Sequence, residues 1–238
     1  MKIAVMSDIH GFSLALERVL HDIGREPEIE RIVAAGDLCE GGPDPLGALR
    51  LLTEHRIELI RGNTDRDLVD RVRTSKGATW VTEQLGDEGL EHLAALPFDI
   101  RIAPPGGRAK VDDLLVVHAN PFDEDQQLHP SAADDEIRDL LGDTRAAVIA
   151  FGHLHIAYQR VIDDIQLIDV SAVGNPKDED LRSKWGLCVW DEPAGTWTTE
   201  LRYVDYPLEE TLAQMEASGM PNWSRAAAKL HRASYTGP

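Results

Sequence analysis

The sequence predicts an α/β fold in which a largely parallel sheet packs against a second, antiparallel sheet. Through the first two-thirds of the 238 residues, short apolar runs alternate with amphipathic helical segments, which is the pattern of βαβ units. In the last third, strand-like runs follow one another directly, and those at 156–162 and 165–170 flank Asp163-Asp164, a hairpin signal. The length allows one large domain or two small ones.

The individual elements follow from the local pattern of apolar and turn residues. In chain order we predict a strand at 2–7, a helix at 12–23, a strand at 31–35, a helix at 45–55, a strand at 57–60, a helix at 65–72, one or two helices at 79–96, strands at 99–102 and 113–117, a helix at 134–141, and strands at 146–151, 156–162, 165–170, 186–190 and 196–204. Pro45 suits the first turn of its helix, where no backbone N–H is needed. Gly86-Asp87 is expected to break the segment at 79–96.

Two amphipathic segments close the chain at 207–217 and 222–232, separated by Gly219-Met220-Pro221. We therefore expect a main domain over 1–205 and a helical tail over 206–238 that packs on the same domain. The apolar faces of the tail helices are compatible with a homodimer.

The composition excludes several classes of function. With 24 basic and 42 acidic residues the net charge is -18, so the surface is unsuited to general nucleic-acid binding or to anionic membranes. A small phosphate ester held by bound cations remains compatible with this acidity. Two cysteines, no signal peptide and no apolar run long enough to span a bilayer indicate a cytoplasmic protein.

Polar side chains follow five of the predicted strands, each at the point where the strand ends. Ligands bind at the carboxyl ends of strands in open α/β sheets. Residues at i and i+2 of an extended chain point to the same side, so neighbouring side chains in this set are expected to act together. Each residue alone has an ordinary structural explanation, but five such strand ends at one sheet edge indicate a site. The set is Asp8, His10, Asp37, Asn63, His118, His153 and His155.

The chemistry of this set fits two divalent cations. Imidazole and carboxylate ligands suit Mn, Fe, Zn, Ni or Co better than Ca or Mg, and we favour Mn. A water molecule held between two such cations would lose its proton near neutral pH and become a nucleophile. The cations would also hold the phosphoryl oxygens of an ester as negative charge develops.

The ordered motifs Asp8-x-His10, Gly36-Asp37, Gly62-Asn63-x-Asp65, His118 and Gly152-His153-x-His155 resemble the calcineurin-like metallophosphoesterase superfamily over about residues 1–175. The stretch 173–178 is similar to the Ser-Val-Gly-x-Pro-Arg segment of the small prokaryotic phosphodiesterase-like branch. The resemblance implies a four-layer αββα sandwich of two mainly mixed sheets flanked by helices. It also implies that Asp8, His10 and His155 hold one metal, that Asn63, His118 and His153 hold the other, and that Asp37 bridges both.

Two positions depart from the pattern of this family. Most members have a histidine after the asparagine as a proton donor to the leaving group, and here the residue is Thr64; members of the small branch often lack that histidine too. The stretch Asp169-Val170-Ser171-Ala172 stands where the branch usually has Asn-Pro-Gly-Ser, which bears on the conformation of that turn.

Three further residues near the motifs are candidates. Arg66 could hold a phosphoryl oxygen, or form a surface salt bridge at a helix start. His129, in the acidic stretch between Asn120 and Ser131, could replace the missing acid, or be a solvated loop residue. Asp65 could orient the Asn63 turn, although capping the following helix is favoured.

The sequence therefore predicts a metal-dependent phosphodiesterase that acts on a small or nucleotide-derived phosphate ester, with Asn63, Arg66 and His129 as catalytic candidates. Thr64 and the altered turn motivate an alternative, a non-catalytic metal-binding scaffold or regulatory protein. A third possibility is a protein or nucleotide phosphomonoesterase.

Overall fold

Two five-stranded β-sheets lie face to face between helices in the computed structural model, which describes residues 1–234. The elements are β1 (Lys2–Met6), α1 (Ser13–Ile23), β2 (Arg31–Ala34), α2 (Pro45–Glu54), β3 (Glu58–Leu59), α3 (Asn63–Val69), α4 (Lys76–Ala94), β4 (Ile100–Ile102), β5 (Leu114–Val116), α5 (Asp134–Leu141), β6 (Val148–Phe151), β7 (Tyr158–Ile162), β8 (Ile165–Asp169), β9 (Ser183–Asp191), β10 (Thr196–Val204), α6 (Leu208–Ala217) and α7 (Trp223–Arg232).

Both sheets are mixed, which confirms the four-layer αββα architecture. The first has the order β10-β9-β1-β2-β3, with β1, β2 and β3 parallel and β9 antiparallel to β1. The second has the order β4-β5-β6-β8-β7, with β5, β6 and β8 parallel. The hairpin predicted around Asp163-Asp164 is confirmed as β7 and β8.

The division of strands between the sheets differs from the expectation of one parallel and one antiparallel sheet. Strands β4, β5 and β6 leave the first sheet and build the second, whereas β9 and β10 return to the first. Strands that are buried on both faces read as continuous apolar runs, as in the fully buried segment Ile3–Met6. Such runs predict a strand but carry no information on which sheet it joins.

Apolar side chains fill three layers. Alternate residues of the two sheets, including Val5, Val33, Val116 and Ala150, form the layer between the sheets. The outer face of the first sheet packs on the helices that precede residue 95 and on the tail helices, which contribute Met215 and Leu230 to that core. The outer face of the second sheet packs against α5, and this layer includes Phe151.

Local features explain where several helices begin and break. Pro45 starts α2, and the Asp44 carboxylate caps it by accepting a hydrogen bond from the Gly47 N–H. Gly86 has φ 62° and interrupts α4 where the break was predicted. Helix α3 begins at Asn63, two residues before the predicted start, so that Asn63 is part of the first turn. Within residues 1–234 no helix combines the length and apolar character needed to cross a bilayer.

Candidate metal centre

All seven side chains predicted as metal ligands meet where the carboxyl ends of β1, β2, β3, β5 and β6 come together. Because these strands belong to both sheets, the cluster lies across the edge of the sandwich rather than along one sheet. Most of its members are buried, and the side chain of Asp8 is fully inaccessible to solvent.

One half of the cluster is formed by Asp8, His10 and His155. The Asp8 Oδ1 atom lies 3.0 Å from His155 Nε2 and 3.5 Å from His10 Nε2. The two Nε2 atoms are 3.1 Å apart. Three ligand atoms therefore converge on one point, as a metal ion requires.

The other half is centred on His118. Its Nε2 atom lies 3.0 Å from Asn63 Oδ1 and 3.2 Å from His153 Nδ1. Asp37 joins the halves, because its Oδ1 is 3.5 Å from His118 Nε2 and its Oδ2 is 3.6 Å from His10 Nε2.

Backbone carbonyls fix the orientation of the histidine rings. Nδ1–H of His10 donates to the Glu40 carbonyl at 2.6 Å, that of His118 to the Ala35 carbonyl at 2.8 Å, and that of His155 to the Asn175 carbonyl. This assignment leaves each Nε2 without a hydrogen and directed at the cluster, as is usual for metal-binding histidine. His153 is reversed: its Nε2–H donates to the Asp125 carbonyl at 3.1 Å, and Nδ1 faces the cluster.

The side-chain atoms that face one another in the cluster are all hydrogen-bond acceptors, and such atoms are suited to bind metal ions. With these tautomers, bare nitrogens and carboxylate or amide oxygens face one another with no hydrogen between them. Asp8 Oδ1 is buried and receives no hydrogen bond from any described residue. Unpartnered buried acceptors are costly, and a cation among them supplies the missing partner.

The carboxylates of the cluster shift the pKa values of its histidines, in opposition to burial. Burial alone would lower the pKa of His10, but Asp8 and Asp37 raise it overall. Burial likewise opposes the effect of Asp37 and Asp8 on His118, whose pKa is also raised. Burial lowers the pKa of His153 and of His155. Within each half, the pKa of one imidazole is thus raised and that of the other is lowered.

The backbone at these ligands is unusual. Asp8, His10, Asp37, His153 and His155 all have φ between 52° and 72°, the left-handed region that non-glycine residues rarely adopt. The side chains of Asp8 and His10, and those of His153 and His155, therefore point in the same direction because the backbone turns in the left-handed region. We predicted that an extended chain would produce this arrangement. Left-handed conformations cost about 1–3 kcal/mol each and concentrate at functional sites.

Glycines allow the ligand loops to touch. Gly36 has φ 87°, and a Cβ there would collide with the backbone of Gly62. A Cβ on Gly152 would collide with the side chains of Ser7 and Asp8. Only glycine permits these approaches, which bring Asp37 to Asn63 and Asp8 to His153.

Asp65 holds two of the ligand loops together. Its carboxylate accepts hydrogen bonds from the N–H groups of Asp37, Leu38 and Gly62 at 2.8, 3.0 and 3.0 Å. The bond from Gly62 caps α3 and holds the Asn63 turn, so both alternatives considered for this residue are present. The bonds from Asp37 and Leu38 also position the Asp37 loop, which the sequence did not predict. Burial, followed by the charge of Asp37, raises the pKa of Asp65 to about 7.

The other catalytic candidates lie in different surroundings. The Arg66 guanidinium is paired with Asp67 at 2.7 Å, Asp125 at 3.0 Å and Glu124 at 3.1 Å, which is the salt-bridge alternative. His129 Nδ1 accepts from Ser131 N–H at 3.2 Å, and no hydrogen bond or ion pair within residues 1–234 joins it to the ligands. Their catalytic roles remain predictions.

Lys177 also belongs to this region, although its position was not predicted from the sequence. Burial lowers the pKa of Lys177, whereas the charges of Asp8 and Asp37 raise it, so its ammonium group lies within electrostatic reach of both carboxylates. The available signal was its place in the stretch similar to Ser-Val-Gly-x-Pro-Arg, where it occupies the basic position.

Comparison with known proteins agrees with this geometry. The model of the calcineurin-like phosphoesterase superfamily domain matches residues 1–188. The chain belongs to this superfamily. The match confirms the resemblance drawn from the ordered motifs, and with it the use of divalent metals as a family property.

Individual relatives cover different shares of this calcineurin-like phosphoesterase. An uncharacterised protein of Methanocaldococcus jannaschii is 26% identical over 93% of this chain and 94% of its own length. The symmetrical bis(5'-nucleosyl)-tetraphosphatase of an Acidovorax species is 32% identical over 50% of this chain and 44% of its own. A metallophosphoesterase structure from Sphaerobacter thermophilus superposes with a TM-score of 0.75, at 24% identity, over 98% of this chain and 99% of that one.

Proposed function

We propose that this protein is a dinuclear-metal phosphodiesterase that hydrolyses a small or nucleotide-derived ester. The observation that carries the proposal is the position of Asp37, whose two carboxylate oxygens face different groups of acceptors. Two divalent cations, with Mn favoured, would activate a water molecule and offset the charge of the phosphoryl oxygens. The residues of the chain would hold these cations, orient the phosphate and exclude bulk water.

The ligand assignment of the proposal follows the two halves of the cluster. Asp8, His10 and His155 would hold one cation; Asn63, His118 and His153 would hold the other. The Asn63 amide could also orient a phosphoryl oxygen through its Nδ2 donor, because its Oδ1 faces His118.

The charges around the site favour a diester over a monoester. A monoester carries a charge of about -1.5 to -2 near neutral pH, as phosphorylated residues do, whereas a diester carries only one. The guanidinium groups of Arg61 and Arg66, beside the Asn63 turn, are both engaged by carboxylates of the 120–131 loop. They are therefore already neutralised. The name of the Acidovorax relative supports a nucleotide-derived substrate, and two free, buried cysteines support a cytoplasmic location.

The test is metal analysis combined with hydrolysis assays on nitrophenyl diesters and monoesters. We expect up to two metals per chain, loss of hydrolysis on chelation, and recovery with Mn. Asp37→Asn should lower kcat/KM more than His10→Ala or His118→Ala. The loss should also exceed the ~10–100-fold that is typical when a residue hydrogen-bonded to a metal ligand is replaced.

Two outcomes would contradict the proposal. Hydrolysis that survives thorough chelation would exclude the metal mechanism. Bound metal without turnover of any ester would instead support a scaffold or regulatory protein.

A further inference from the structure

A cavity of about 190 Å³ opens beside the metal centre, between α4 and the tail helix α7. Its lining includes Glu40, Gly41, Trp80, Met220, Arg225 and Lys229, none of which is a predicted metal ligand. Glu40 and Gly41 form the wall towards His10: the Glu40 carbonyl accepts the His10 hydrogen bond, and a Cβ on Gly41 would lie 3.6 Å from that ring. Two residues of the cavity lining, Glu40 and Gly41, therefore contact His10, which is one of the predicted metal ligands.

The cavity offers an aromatic surface. Trp80 is half-buried in the wall, with part of its side chain packed against the core. Pockets that enclose drug-sized ligands measure about 300–1,000 Å³. This smaller volume suits one planar ring rather than a whole dinucleotide, and aromatic side chains bind nucleobases by stacking.

Two cations stand at the same cavity. Arg225 and Lys229 are exposed and one turn apart on one face of α7, and neither forms an ion pair with a described residue. Like charges at i and i+4 destabilise a helix. Because no carboxylate of the described residues engages them, both cations are available to an anionic ligand at the cavity.

Electrostatic interactions connect these cations to the metal centre. Lys177 interacts with Lys229 on one side and with Asp8 and Asp37 on the other. The acidic member of the lining, Glu40, has its own cation, since Arg73 Nη1 lies 3.5 Å from its carboxylate. The charged residues of the cavity lining are thus two exposed cations and one carboxylate that is paired with an arginine.

We propose that this cavity binds the organic part of the substrate, with a nucleobase against Trp80 and a second phosphate held by Arg225 and Lys229. The inference rests on the proposed function for the position of the scissile phosphate. It narrows the substrate class to nucleotide esters that carry more than one phosphate. The tail helix α7 then determines specificity and takes no part in the chemistry.

The first experiment measures binding rather than hydrolysis. ADP is titrated calorimetrically into the full-length protein and into Trp80→Leu and Arg225→Ala/Lys229→Ala. We expect the dissociation constant to rise about tenfold in each variant, as loss of one stacked base or of phosphate contacts usually produces. Arg232→Ala, which removes an exposed cation of α7 outside the cavity lining, should bind ADP like the wild type.

The second experiment separates this site from the proposed activity. In Arg225→Ala/Lys229→Ala, KM for diadenosine tetraphosphate should rise about tenfold relative to KM for bis(4-nitrophenyl) phosphate, which lacks a second phosphate. Arg232→Ala should leave both values unchanged. Equal ADP affinity in the wild type and both cavity variants would overturn the inference even if the enzyme hydrolyses diesters. Weakened ADP binding in a protein that cleaves no ester would uphold the site and remove the phosphodiesterase.

Discussion

Thr64 stands beside the metal centre at the position where most of the superfamily has a proton donor. Its N–H donates to Asp37 Oδ1 at 2.9 Å, and its buried hydroxyl has no hydrogen-bond partner among the described residues. The backbone of Thr64 therefore helps to orient the Asp37 carboxylate. The Thr64 side chain cannot protonate a departing alkoxide near neutral pH, because an aliphatic hydroxyl is far too weak an acid.

Substitution of Thr64 tests this limitation. A general acid contributes about 10²–10⁴-fold to such reactions. Thr64→His should therefore raise turnover of esters with basic leaving groups by up to that factor and change nitrophenyl turnover little. The measurement is a series of diesters graded by leaving-group pKa, with wild type and variant at fixed Mn. If the wild-type rates do not depend on leaving-group pKa, another acid is already present, and His129→Ala is the variant that would identify it.

Asp169 is a buried carboxyl with an incomplete set of partners. One oxygen accepts the Ser171 N–H at 2.7 Å, whereas Oδ2 has no hydrogen-bond partner among residues 1–234. Burial, supported by the charges of Asp8 and Asp178, raises the pKa of Asp169 well above its usual value. Because the folded pKa exceeds the unfolded one, the stability of the protonated form is fully present below the unfolded pKa. It is lost as the pH rises through the folded value.

Asp169→Asn should therefore stabilise the protein increasingly as the pH rises. Each pH unit between the unfolded and the folded pKa is worth about 1.4 kcal/mol, and 1 kcal/mol shifts the Tm of a chain of this size by about 2–4 °C. Thermal unfolding of both proteins from pH 4 to pH 8.5 measures the difference. Asp143→Asn, at an exposed site, is the control; a difference in Tm that is constant with pH would contradict the prediction.

At the scale of residues, the identities of the metal-binding candidates could be read from the sequence, and their surroundings could not. Asp8 and His118 can be identified in the sequence because a strand ends at each. The carbonyl groups of Ala35 and Glu40 that orient the rings cannot be identified, since every residue has a carbonyl group. The pairing of Arg66 with Glu124 depends on a loop 58 residues away, which no local pattern encodes.

The turn after β8 contains a serine, Ser171, in a backbone conformation that favours glycine. Ser171 stands where related proteins of the small branch usually have glycine, and it has φ 58° with a buried hydroxyl that lacks a partner among the described residues. The turn is thus accommodated despite the altered sequence, with a side chain in the left-handed region.

Ser171→Gly should stabilise the protein by about 1 kcal/mol, since glycine adopts this conformation without steric cost. We expect the Tm to rise by about 2–4 °C. Ser171→Ala separates the two contributions, because it removes the hydroxyl and keeps the strained φ. Equal stabilisation by both substitutions would show that the unpaired hydroxyl, and not the backbone, is the cause.

At the scale of elements, the positions of the strands in the sequence were more predictable than which strands pair with one another in each sheet. The alternation of apolar runs and helices located β1, β2, β5 and β6 within a few residues. The assignment of β5 and β6 to the second sheet depends on packing between layers that are distant in sequence. It also explains why the ligand cluster lies across the edges of both sheets, whereas we expected it at the edge of one sheet.

For the whole molecule, the metal centre links both sheets, so occupancy should affect global stability. A ligand that binds only the folded state stabilises it by about 4.1 kcal/mol at 1,000 times its dissociation constant. Chelation should therefore lower the Tm on the order of 10 °C. Thermal unfolding with EDTA and with excess Mn measures this shift. Asp37→Asn should show a much smaller response, and a wild-type Tm independent of chelation would contradict metal binding to the folded protein.

Strand β1 lies between β2 and β9, which are far apart in the chain. During synthesis its second edge has no partner until residues 183–191 have left the ribosome, long after residues 2–6 have emerged. The segment that contains β1, β2 and β3 therefore cannot complete the first sheet on its own, because β9 and β10 follow more than a hundred residues later. Non-local pairing of this kind slows folding and leaves a bare strand edge in the nascent protein. Until β9 pairs with it, that edge is open to intermolecular association.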